Sequence, residues 1–131
     1  MDTKHHLSQK YPLVVTSFRG ELSYEEAIKC FATVHNYRQD RDLPMVYWIT
    51  EAVDTWFSQL TATRVAEVTK QGMPGTVGDS AIIPLVVMDE EKYAYLLSEL
   101  VNRYVWMDYP LFSSIDDAFY FMCCLLKSQD S

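Results

Sequence analysis

A strand, then a helix cap, then a helix with one apolar face: this order recurs along the chain and restricts it to a layered α/β architecture. The last such unit shows the order most fully. Residues 109–112 read as a short strand, and Ser113-Ser114 supplies a cap. Ile115, Ala118, Phe119, Met122 and Leu126 then return on one face at helical spacing. The same order occurs three more times upstream. Alternating strands and helices imply a mainly parallel sheet, because parallel neighbours need a crossover long enough to hold a helix.

The first complete unit opens with Leu13-Val-Val-Thr-Ser-Phe18, rich in β-branched and aromatic residues, and Arg19-Gly20 reads as the turn that ends it. Residues 4–9 read as a weaker strand that pairs antiparallel with it at one edge. Ser23 and Glu26 then have the spacing of a capping box, in which side chains satisfy N–H groups that the first helical turn leaves unpaired. Tyr24, Ala27, Ile28, Phe31, Ala32 and Val34 follow as the buried stripe. The polar run 38–42 ends this helix, and Pro44 closes it.

Residues 45–50, Met-Val-Tyr-Trp-Ile-Thr, are apolar on nearly both faces, as a central strand should be. Residues 51–59 read as a polar-aromatic connection, and Thr61 as the cap of a helix over 62–71. The segment 72–80 holds three of the four glycines and is a loop, read as a plain flexible connection. In the strand 81–88, Pro84 removes a ladder donor, so that strand is expected to be peripheral or bulged. Asp89 caps a further helix carrying Tyr93, Leu96, Leu97, Leu100, Val101 and Tyr104.

With 131 residues, 49% hydrophobic and 22% charged, the chain suits a single domain over 1–131 with a core that requires no staples. A net charge of -7 repels phosphate backbones, and no Lys/Arg stripe offsets it, which argues against nucleic-acid binding. No segment approaches the roughly 18 apolar residues of a membrane helix, so stable membrane insertion is not expected. The polar N-terminus has no apolar segment followed by a cleavage site, which implies a cytoplasmic protein. Three cysteines, two of them the adjacent Cys123 and Cys124, form no disulfide framework and suit a reducing compartment.

Arg19-Gly-Glu-Leu-Ser-Tyr-Glu-Glu26 leading into a helix, a central strand, a mid-chain helix, the strand 82–88 and the closing Phe112-Ser-Ser-Ile-Asp-Asp-Ala-Phe119 come in a characteristic order. In that order the chain resembles the STAS/SpoIIAA-like domains, named for anti-sigma factor antagonists and sulfate-transporter tails, and especially their small stand-alone bacterial members. The resemblance implies a SpoIIAA-like fold: one mixed, mainly parallel sheet of four to five strands packed with about four helices. It also implies a regulatory, non-enzymatic interaction module. Anti-sigma antagonists carry an Asp-Ser-x-Gly-like motif after the central strand, with the serine phosphorylated at a helix N-terminus. The corresponding region here, Ile49-Thr-Glu-Ala-Val-Asp-Thr-Trp56, has no Ser-Gly pair, and Asp54-Thr55 is its nearest counterpart.

The residues themselves supply no catalytic constellation. The glycine loop lacks a following Gly-Lys-Ser/Thr and leads into a strand, so it does not read as a phosphate cradle. His5, His6 and His35 lack metal-ligand spacing, and Cys123-Cys124 lack an identifiable base, so neither a metal nor a cofactor is expected. Asp54 and Asp89 follow strands, where α/β sheets place ligands, but they read more simply as a turn residue and a helix cap. Trp48 belongs to the core, and Trp106 is ambiguous. Trp56-Phe57 either anchor an interface or fold back over the sheet end.

The candidate interface or ligand surface is therefore Asp54, Thr55, Trp56, Phe57, Ser58 and Thr61. The first functional expectation is a module that binds a protein partner or a second copy of itself. The alternative is a small-molecule or lipid-binding domain with a pocket between sheet and helices, and an enzyme ranks last.

Overall fold

In a computed structural model of the chain, residues 2–91, 94 and 110–129 are described. The elements are β1 (Asp2–Leu7), β2 (Leu13–Glu21), α1 (Tyr24–Asp40), β3 (Val46–Trp56), α2 (Gln59–Lys70), β4 (Ile82–Val87), β5 (Leu111–Phe112) and α3 (Ile115–Gln129). The five strands lie side by side in chain order, β1-β2-β3-β4-β5. β1 runs antiparallel to β2, and every other neighbouring pair is parallel. The protein is thus an α/β structure with a mixed, mainly parallel sheet.

β3 is central because Val46, Tyr47, Trp48 and Ile49 are all buried, two toward each face. On one face Val14, Phe18, Trp48 and Ile82 pack with Phe31 and Val34 of α1 and with Val65 and Val68 of α2. Phe31 meets Trp48 edge-on, with ring centroids 5.9 Å apart. On the other face Leu13, Tyr47, Ile49, Leu85 and Val87 pack under Ala118 and Met122 of α3. Ile115, Phe119 and Leu126 complete that core, on the stripe expected from sequence, and Cys123 packs there while Cys124 is exposed.

Ser23 caps α1 as its spacing predicts, its Oγ accepting the Glu26 N–H at 3.2 Å. Ser114 does the same for α3, accepting from the Asp117 N–H at 3.1 Å. β5 pairs with β4 only at Val86 and Val87, so Pro84 sits on a stretch of β4 that β5 does not reach, as a missing donor requires.

Four expectations need correction. Arg19-Gly20 is not a turn: β2 continues through it to Glu21, with a register shift between Ser17 and Arg19 and Gly20 at φ 95°. Residues 51–56 are not a connection, because β3 continues alongside that extension to Trp56. The cap of α2 is Ser58, not Thr61; the Thr61 N–H donates to the Ser58 Oγ at 3.1 Å, and the helix starts at Gln59.

The glycine-rich segment is also more than a plain connection. Asp79 accepts from the N–H groups of Gly75 (3.1 Å) and Ala81 (3.0 Å), and the fully buried Thr76 donates to the Met73 carbonyl at 2.6 Å. Three helices are complete among the described residues, against about four expected. Of the helix expected after Asp89, only Glu90, Glu91 and Ala94 are described, and they are helical. Its apolar residues, Trp106 and Tyr109 lie outside the described residues.

Candidate functional site

The extension of β2 and β3 past the end of β4 pairing carries the residues singled out from sequence. Glu51 lies opposite Val87, the last pairing between β3 and β4, whereas Asp54, Thr55 and Trp56 lie opposite Arg19, Gly20 and Glu21. The Leu22 N–H donates to the Trp56 carbonyl at 2.8 Å and ties the two strand ends together. Arg19 Nη1 donates to Asp54 Oδ2 at 2.9 Å, but both side chains are more than 60% exposed, so the pair contributes about 1 kcal/mol at most. Asp54 is thus occupied by an ion pair at the surface.

Thr55 is 2% exposed and Trp56 is 62% exposed, so neighbours in sequence face opposite environments. Phe57 is half-buried. Ser58 and Thr61 serve the first turn of α2, and their hydroxyl oxygens lie 3.1 Å apart. One residue of this surface escaped the sequence reading: Leu60, 67% exposed, two positions into α2. With the cap at Ser58, Leu60 falls in the first turn of α2, four residues after Trp56. Val53, also exposed, lies three residues before Trp56 on β3. The Arg64 guanidinium stacks 3.8 Å from the Tyr24 ring centroid and joins α2 to the start of α1.

At the β1–β2 turn there is a second concavity. An open groove of about 580 Å³ is lined by His6 and Leu7 of β1, the turn 8–11, Leu13 and Val15 of β2, and Ile115, Asp116 and Phe119 of α3. Its turn is fixed from behind. Tyr37 Oη lies 2.7 Å from the Ser8 carbonyl and 2.8 Å from the Tyr11 carbonyl, and it accepts the Leu13 N–H at 3.2 Å. Arg41 donates to the same hydroxyl at 2.8 Å, to the Gln9 carbonyl at 2.8 Å and to the Ser8 carbonyl. Tyr11 meets Phe119 edge-on at 5.3 Å, which closes one wall.

Among the described residues, two titratable groups depart from ordinary behaviour. Burial pushes the Cys30 thiol up to about 12, with the nearby Glu26 carboxylate adding to the effect, so this cysteine is not a nucleophile near neutral pH. Burial lowers His5 below 6.5, against an opposing pull from Glu26. His5 Nδ1 lies 2.9 Å from Thr16 Oγ1, which the Trp48 Nε1–H also reaches at 2.9 Å. His6 lines the groove, and His35 is half-buried on α1. Among the described residues, no group of three His, Cys, Asp or Glu side chains is placed to hold a metal ion. No helix among them is long and apolar enough to cross a membrane.

These surfaces offer contact area and hydrogen-bonding edges. Compared with known protein families, with curated proteins and with solved structures, the chain finds no match.

Proposed function

We propose that the protein is a non-enzymatic interaction module, regulatory in the manner of the STAS-like domains it resembles, and that it docks a protein partner on the surface around Trp56. The observation that carries this reading is the exposure of Trp56, 62%, at the end of β3 and of Leu60, 67%, four residues on in the capped first turn of α2. Tryptophan dominates binding hot spots because it buries a large area at little entropic cost. Asp89, Glu90 and Glu91 follow β4 at the same end of the sheet, so a partner carrying basic residues around an apolar pocket is the best fit. The strand order supports the SpoIIAA-like reading, as does an antiparallel first strand leading into parallel β-α units.

Native mass spectrometry of the protein purified gently from its own host tests this reading. A bound polypeptide on the wild type is expected, and it should be lost from Trp56→Ala and Leu60→Ala. Trp56→Ala should weaken that complex by about 2 kcal/mol or more, as hot-spot tryptophans do. Its effect on stability should stay within about 0.5 kcal/mol, because the side chain is mostly solvated. Retention of the partner by both variants, or a wild type that carries only small molecules, would defeat the proposal.

A small-molecule site is the second reading, and the groove at the β1–β2 turn is the observation in its favour. Its volume lies within the range of ligand pockets, but such pockets usually enclose most of their ligand, and this one is open.

A further inference from the structure

Among the described residues, β1 is an edge strand with one side paired to β2 and no strand on the other. Its register fixes which backbone groups the open side presents. The Ser8 N–H donates to the Leu13 carbonyl at 3.0 Å, so by antiparallel alternation the inward-bonding residues of β1 are Asp2, Lys4 and His6. The N–H and C=O groups of Thr3, His5 and Leu7 therefore point away from β2, spaced as a ladder for one more strand. Every residue of β1 except Thr3 is exposed.

Charge selects what that strand can be. Residues 1–21, which hold the hairpin, contain Lys4, Lys10 and Arg19 against Asp2 and Glu21, a net of +1, together with His5 and His6. The whole chain is at -7, so the remaining residues total -8. The hairpin is the basic part of an acidic molecule. Among the described residues lining the groove, Asp116 is the one carboxylate, and Lys10 and His6 line it too.

A second copy of the same strand fits poorly. A two-fold axis that joins two β1 edges antiparallel keeps like faces together, so one residue must sit opposite itself. Centred on Lys4, that pairing sets two lysines directly against each other. Like charges directly opposite destabilise a pair, and an edge lysine is a common guard against self-pairing.

We propose that the open edge of β1 receives an acidic, extended peptide segment as an added strand, with one of its apolar side chains seated in the groove over Val15 and Phe119. Main-chain bonds to Thr3, His5 and Leu7 supply affinity, while alternate side chains supply selectivity. Lys4 and Lys10 select acidic residues. Tyr37 and Arg41 hold the turn in its receiving geometry beforehand, so binding need not order it. This surface is distinct from Trp56, so the two proposals stand or fall separately.

The test is fluorescence anisotropy with a labelled peptide of about nine residues, enough to span a strand of ordinary length, in which Glu and Val alternate along one face and Thr fills the other, because Lys4, His6 and the groove share one face of the sheet. Saturable binding is expected, and Trp56→Ala should leave it unchanged. N-methylation of alternate peptide nitrogens leaves every side chain in place and should weaken binding about tenfold or more in the phase that faces β1, with little effect in the other phase. Replacing the peptide's Glu by Lys should also weaken it, and Lys4→Glu with Lys10→Glu should reverse that preference. The methylated peptides probe the wild-type protein, so the result does not depend on any variant folding. Absence of binding at millimolar peptide, equal binding of both methylated phases, or a dimer formed through β1 would overturn the proposal.

Discussion

Thr16 holds two side chains of very different exposure on one hydroxyl group. Indole N–H can only donate, so Thr16 Oγ1 accepts from Trp48, and its own proton is left for the Nδ1 lone pair of His5. This arrangement needs neutral His5 with its proton on Nε2, consistent with the lowering of its pKa by burial. Protonation would bring a second donor to Thr16 and displace the threonine proton into a fully buried site. Because the folded pKa lies below 6.5, the unfolded chain binds this proton more readily. Stability from this group is therefore complete above about pH 6.5, the unfolded value, and is lost as pH falls toward the lower folded value. Chemical denaturation from pH 7 to 5 should show a steeper loss for wild type than for His5→Asn, whose amide oxygen can still accept. Equal slopes would mean His5 carries no linkage. Thr16→Val, which strands the Trp48 N–H, should cost about 1–3 kcal/mol at any pH. Nothing in the sequence announced this chain of bonds, because Thr16 and Trp48 become neighbours only once β2 and β3 pair.

Between α2 and β4, the glycine-rich segment shows how an element can look unstructured in sequence and still be tightly specified. A Cβ on Gly75 would stand 2.1 Å from the Phe31 carbonyl oxygen, at φ +88°, and one on Gly78 would stand 1.9 Å from the Thr69 carbonyl oxygen. The loop is pressed against both helices that cover this face. Gly72 is the useful contrast, since its φ of +74° is strained for other residues but its nearest obstacle is 3.7 Å away. Gly72→Ala should cost about 1–2 kcal/mol of backbone strain. Gly75→Ala should add an overpacking cost and reach roughly 2–5 kcal/mol. Urea midpoints would separate the two, and equal costs would show that α1 yields at Phe31.

Helix α1 was legible from Ser23, Glu26 and the apolar spacing, because all of its determinants are local. The true length of β3 was not. Ala52 and Thr55 are buried while Val53 and Asp54 are both exposed, which breaks the period-2 alternation of a half-buried strand. The register shift in β2 accompanies that irregularity, and it is a tertiary feature. A connection over 51–59 implies a cap at Thr61 and leaves Leu60 outside the helix, whereas the longer strand brings the cap to Ser58 and Leu60 into the first turn.

At the scale of the molecule, strand order and helix placement have different causes. Consecutive parallel strands joined by right-handed crossovers put their helices on one face, which accounts for α1 and α2 together. α3 follows the last strand of the sheet, so no crossover rule binds it, and it covers the opposite face. Alternation and the central position of β3 could be read from apolar runs, but a helix that leads to no further strand carries no handedness signal. This layering sets a gradient of protection. Hydrogen exchange should be slowest at Tyr47, Trp48 and Ile49, covered on both faces, and fastest in β1, among the described strands. Uniform exchange across the sheet would indicate that it opens only as a whole.

A ribosome releases these strands in the order in which they become neighbours, so each can settle against one that already exists. The apolar surface around Leu85 has no such luck, since its shelter is made last. A message cut short before Ile115 would yield the five strands without the helix that packs on Leu85. Such a product is expected in the pellet of a sedimentation assay, and its recovery in the supernatant would show that one core is enough.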